Sequence, residues 1–209
     1  MTKCLVKPVN ILLTLKENNE HHFTTIKQVY NYKYAYRRSI RGHRTELQHL
    51  MMLLDHANYI HWSICHESSD FLSDLFWTHL DSVKLLKALH FVFLMDNTYK
   101  TKKYRSLLLE IVGITSRGLT FSAAFVFLAS KRENNFIWAI ENFKGLLLRS
   151  DVNLEVIVTD RDLAWINALD IVFPKCSHVL CRFHINKKVK AKCKMSVSKF
   201  EVWDIIMDA

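Results

Sequence analysis

An α/β layer fold with a mixed sheet is what this sequence predicts, and three observations predict it. The apolar runs HFVFLM, SLLLEIVGI and TFSAAFVFL are strand-like, and their links are short enough to force antiparallel neighbours. After them the rhythm becomes helix, strand, helix, strand, the pattern of parallel strands with covering helices. Half of the 209 residues are hydrophobic and only 4 are Gly and 2 Pro, which supports a packed core.

Two segments divide the chain: residues 1–58, helical, and residues 59–200, the α/β core. Pro8 suits the first turn of a helix because it has no N–H to leave unpaired, and Ile11, Leu12 and Leu15 mark one face. After the polar break ENNEHHF, Thr25 and Gln28 form a capping-box pattern opening TIKQVYNYKYAYRRSIR. That helix carries Lys27, Lys33, Arg37, Arg38 and Arg41 and no acid. Gly42 ends it, and Thr45 with Gln48 repeats the cap before ELQHLMMLL. A short helix, a turn and a basic aromatic-laced helix match the layout of a helix-turn-helix DNA reader. The alternative is a helical subdomain whose tyrosines pack and whose arginines are solvated.

In the core segment, residues 59–64 read as a short strand. Phe71, Leu75, Phe76, Leu80, Val83, Leu86 and Leu89 stand at helical spacings, predicting one helix over 71–89. The three strand-like runs follow, with Gly113 and Gly118 at expected turns. ENNFIWAIENFKGLLLRS is amphipathic, with Phe136, Ile137, Ile140, Phe143, Leu146 and Leu147 inward. LEVIVT is a strand, DLAWINALDIVF a helix closed by Pro174, SHVLC a strand, and FHINKKVKAKCK opens a last basic helix.

The formal charge of +9 favours an anionic partner. Five cysteines, an odd number without a disulfide-like framework, fit a reducing compartment. No run reaches the ~18 apolar residues of a membrane span, and no signal peptide opens the chain.

Two of the strands end on aspartates. In a sheet of order 3-2-1-4-5, strands one and four run parallel side by side, so Asp96 and Asp160 meet at one edge. Neighbouring strands lie ~4.8 Å apart, close enough for the two carboxylates to share one or two Mg²⁺ or Mn²⁺ ions. Such ions activate a water or 3′-hydroxyl and stabilise the departing oxygen of a phosphodiester. Lys100, Lys102, Lys103 and Arg105, in the turn after Asp96, would neutralise phosphate. Asp160 has a plainer reading, as the cap of the helix beginning at Arg161. Asp162 is its rival, better explained by the helix dipole. Cys176, His178, Cys181 and His184 are zinc-ligand types in no standard finger spacing, and Cys193 lies further on. From Arg182 to Lys199 there are seven Lys or Arg, Lys187, Lys188 and Lys190 among them, and no acid. This reads as a phosphate-tracking surface or a nuclear-import signal.

MDNTYKTKKY, LLEIVGITSRGLTFSAAFVFL, VIVTDRDLAWINALDIVFP and HVLCRFHINKKV together resemble the central domain of Mutator-like element (MULE) transposases. Far-red-response transcription factors derived from those enzymes carry the same domain. The resemblance runs roughly from residue 5 to 195. It implies a ribonuclease H-like fold with a DDE metal site taking Mg²⁺ or Mn²⁺. Asp96 stands in the D-x-T-Y-K setting of the first acid and Asp160 in the T-D-x-x-x-A setting of the second. Cys181 and His184 match the family's C-x-x-H element, where a bound zinc would be structural. The family's third acid, a glutamate, normally lies well beyond that element, and Glu201 is too early and in the wrong context to serve. The expectation is therefore a core truncated at its C-terminus, inactive alone, acting on double-stranded DNA at element ends, self-associating and nuclear. The alternative is a domesticated DNA-binding or transcription-regulating protein working at promoters.

Overall fold

The computed structural model describes residues 6–19, 23–65, 72–98, 107–147 and 154–193. The chain forms two compact units, residues 1–52 and 53–209.

The first unit is helical. α1 (Pro8–Asn18) starts on its proline, and α2 (Ile26–Arg41) opens with the full capping box: Gln28 N–H donates to Thr25 Oγ1 and Thr25 N–H to Gln28 Oε1. Gly42 closes α2 at φ 61°, a left-handed value that glycine tolerates. Thr45 and Gln48 exchange the same pair of bonds ahead of α3 (Glu46–His56). These local signals were legible because each cap needs only residues three apart.

The second unit is built on one seven-stranded sheet of order β1-β2-β5-β4-β3-β6-β7. The strands are β1 (Ile60–Cys65), β2 (Leu72–Thr78), β3 (Val92–Thr98), β4 (Leu107–Ile114), β5 (Thr120–Leu128), β6 (Val156–Thr159) and β7 (Ser177–Leu180). β1 to β5 pair antiparallel, while β3–β6 and β6–β7 pair parallel. Counted from β3, the five strands on that side read 3-2-1-4-5. The helices are α4 (Leu80–Ala88), α5 (Glu133–Leu147), α6 (Leu163–Val172) and α7 (Arg182–Cys193). Phe93 of β3 meets Phe143 of α5 edge-on at 5.1 Å, and Phe136 of α5 meets Trp165 of α6 at 4.8 Å. These contacts put the core between the sheet and α5–α6, with Phe76, Met95, Leu109, Ile111 and Val126 fully buried in it.

Two expectations are corrected. The single helix over 71–89 is a strand followed by a helix: residues 72–78 form β2, and α4 starts only after His79 caps it. β2 is buried or half-buried along its whole length, on both faces, and apolar residues on both faces imitate a helical spacing. Gly113 lies not at a turn but inside β4, opposite Phe121 of β5. The Phe121 ring lies over it, where a Cβ would collide. Gly113→Ala should cost about 1–3 kcal/mol, the usual range for overpacking, measurable as a lowered denaturant midpoint. Phe121→Ala in the same chain should remove the collision, so the double variant should lose less than the two single losses added. Gly118 does sit in the β4–β5 turn, at φ 75°.

Candidate metal and nucleic-acid site

Asp96 is not the last residue of its strand. β3 continues to Thr98, and Asp96 pairs with Glu110 of β4. Its place beside Asp160 comes instead from the parallel register of β3 with β6. β6 runs parallel to β3 in register Met95↔Thr159 and stops there, so the next residue of each chain is an aspartate. Met95 and Thr159 are both buried, and alternation turns Asp96 and Asp160 to the opposite face. Asp96 and Asp160 line one cavity of about 490 Å³ with Phe183, His184, Lys187 and Lys188 of α7.

The two carboxylates differ. The Asp96 side chain is 60% exposed, with His184 Nε2 3.6 Å from its Oδ1. Asp160 Oδ1 is buried and has no hydrogen-bond partner. A buried carboxylate oxygen without a donor is costly, and a cation is one group that would relieve it. The cap reading of Asp160 fails, because α6 begins two residues later than expected and Asp162 is its N-cap. Asp162 accepts from Ala164 N–H at 3.2 Å and from Lys131 Nζ at 3.2 Å, so both its oxygens are engaged. This orphaned oxygen beside a second carboxylate fits a hard divalent ion. Among the described residues, no group of three or more His, Cys, Asp or Glu side chains is arranged to hold one.

Cys181 and His184 both line a neighbouring cavity of about 340 Å³ with Leu180, Ile185 and Val189. His178 turns instead to Asp170, Nδ1 to Oδ1 3.0 Å. Burial pushes the Cys176 thiol up to about 11, away from the thiolate a metal needs. The side chain of Cys193 lies outside the described residues.

The basic residues divide by what they touch. In α2, Lys27, Arg37 and Arg38 are exposed, while Lys33 Nζ donates to Val6 O at 2.8 Å and Arg41 pairs with Glu46 at 2.7 Å. Tyr30, Tyr32 and Tyr34 are exposed as well, at 55%, 73% and 61%, so these tyrosines do not pack as the alternative reading expected. In α7, Lys187, Lys188 and Lys190 are exposed. Lys100, Lys102, Lys103 and Arg105 lie outside the described residues, as does Glu201. Sequence reasoning passed over Phe183; its signal was an aromatic inside an otherwise basic, polar helix start.

Among the described residues no helix is long and apolar enough to cross a membrane. Protein FAR1-RELATED SEQUENCE 5 of Arabidopsis thaliana is 26% identical over 144 residues, 68% of this chain and 18% of that protein. PKS-NRPS hybrid synthetase cheA of Chaetomium globosum is 27% identical over 186 residues, 84% of this chain and 4% of that protein. The chain thus spans a minor part of each curated relative's length. Residues 92–188, from the start of β3 into α7, match the family model of the MULE transposase domain. The strand pair that brings Asp96 beside Asp160, and the helix that brings His184 to them, lie inside that match: over residues 92–188 this chain matches the MULE transposase domain.

Proposed function

We propose that this chain is a DNA-processing core of ribonuclease H-like, DDE type that contributes the first two acids, Asp96 and Asp160. The observation that carries the proposal is the parallel β3–β6 pair delivering two carboxylates to one cavity, one with an orphaned buried oxygen. Asp96 and Asp160 would hold Mg²⁺ or Mn²⁺. When bound, such an ion lowers the pKa of a water or hydroxyl and polarises a phosphoryl oxygen. The chain's own part is to bind and orient the DNA. Lys187 and Lys188 offer cations to a phosphate at the cavity, and His184 steadies the exposed Asp96 carboxylate. Lys190 of α7 extends that basic surface, and Lys27, Arg37 and Arg38 of α2 give the helical unit a basic face of its own for duplex DNA. The resemblance calls for a third acid before strand transfer can proceed; among the described residues no group of three acids is arranged to hold a metal, and Glu110, across the ladder from Asp96, accepts from Ser122 Oγ at 2.7 Å. The proposed compartment is the nucleus.

Binding to duplex DNA should weaken steeply with salt, since each neutralised phosphate releases counterions. Lys187→Gln with Lys190→Gln should lower the slope of log K against log salt by about 2, roughly one per phosphate contact. Fluorescence anisotropy from 50 to 200 mM salt measures it. A slope unchanged in this variant would remove α7 from the interface. The second reading, a domesticated binding protein, draws support from the likeness to Protein FAR1-RELATED SEQUENCE 5. It expects DNA binding of the same strength with or without divalent ions, and no effect of Asp160→Asn.

A further inference from the structure

Phenylalanine is normally an interior residue, yet Phe183, on the first turn of α7, is 68% exposed. Its ring neighbour among the described residues is His184, edge-on at 5.4 Å. It borders the carboxylate cavity, with Lys187 one turn further along the same stripe and Lys188 beside it. The core of the second unit makes no visible use of it: Phe183 is absent from the packed cluster between the sheet and α5–α6.

We propose that Phe183 is a stacking platform for one nucleobase of the DNA strand that crosses the carboxylate cavity. This rests on the DNA-core reading above and adds a contact to it. A flat aromatic face beside cations is how proteins grip unpaired nucleotides: the cations track phosphate, and the ring stacks on a base of any identity. Charge selects this occupant over a protein surface. α7 carries Arg182, Lys187, Lys188, Lys190 and Lys192 and no acid, so the exposed ring stands among cations, while the exposed apolar Leu180, Ile185 and Val189 line the neighbouring cavity. Stacking needs a base whose face is free, so the strand must be unpaired where it passes Phe183. The contact therefore favours a duplex with a single-stranded end over a blunt duplex.

The test uses the full chain and a duplex with a single-stranded 3′ overhang, read by anisotropy. Phe183→Ala should weaken binding about fivefold to a hundredfold, the range for one lost stacking contact, and blunt duplex binding should change less. Phe183→Trp should bind as well as wild type. Phe183→Leu, which keeps apolar bulk without a π face, should fall with Ala. An abasic site stepped along the overhang should find one position whose loss is not additive with Phe183→Ala. The residue is exposed, so circular dichroism melts should show all variants folded. Unchanged binding by Phe183→Ala, full binding by Phe183→Leu, or a change of oligomeric state alone would overturn the stacking role. An unaffected Phe183→Ala variant alongside wild-type protein that binds DNA sinks only this inference, whereas wild-type protein that binds no DNA sinks the DNA-core reading with it.

Discussion

Asp160→Asn is expected to abolish the stabilisation that Mn²⁺ gives the wild-type chain. An ion that binds only the folded state adds RT ln(1 + [L]/Kd), about 2.7 kcal/mol at a concentration a hundred times Kd. For a unit of this size that raises the melting temperature by on the order of 5–10 °C. Asp96→Asn should lose the same response, since each carboxylate supplies half of a shared site. Without metal the sign should reverse at position 160. Asp160 Oδ1 is buried without a donor, and replacing a buried anion by a neutral amide of the same shape removes part of its desolvation cost. The metal-free variant should therefore melt no lower than wild type, and by this argument higher. Asp162→Ala is the control: it removes the α6 cap and the pair with Lys131, so it should cost about 1 kcal/mol while the Mn²⁺ response survives. A wild-type melt that ignores Mn²⁺, or an Asp160→Asn chain that responds fully, would end the cation-site reading.

The parts of the fold that could be read from the sequence are those whose cause is local. Caps at Thr25 and Thr45, the Pro8 start and the β4–β5 turn at Gly118 each need only a few adjacent residues. β3, β4 and β5 follow one another through short links, so their antiparallel order was also visible. β2 was not, because one of its two partners, β5, lies some fifty residues later along the chain, and a strand buried on both faces has no clean two-residue period. The same blindness affected the site. That Asp96 and Asp160 end apolar runs was visible, but β3 runs past Asp96, and their meeting depends on the parallel register that sets Met95 opposite Thr159. Among the cations, charge was legible and engagement was not. Lys33 and Arg41 look like Arg37 and Arg38 in sequence, yet the first is spent on the Val6 carbonyl and the second on Glu46.

Asp74 lies in that misread segment, and its replacement should be among the most damaging single changes in the second unit. Its side chain is buried, the residue 2% exposed. Oδ1 accepts from Ala129 N–H at 2.7 Å, just past the end of β5, and Oδ2 accepts from Ser73 Oγ at 2.8 Å and Asn135 Nδ2 at 3.0 Å on the first turn of α5. One carboxylate thus ties β2 to the β5–α5 connection. Asp74→Leu would leave these donors facing an alkyl group, and each unsatisfied buried donor costs about 1–3 kcal/mol. The loss should reach about 3 kcal/mol or more, read as a lowered urea midpoint with an unchanged slope. Asn135→Leu added to Asp74→Leu should recover part of it, because removing both partners of a buried bond is less costly than orphaning one. Asp74→Asn, which keeps one acceptor for Ala129 N–H, should fall between wild type and Asp74→Leu. If Asp74→Leu unfolds at the wild-type midpoint, the clamp between β2 and α5 contributes nothing, and β2 is held by its backbone ladder and apolar neighbours alone.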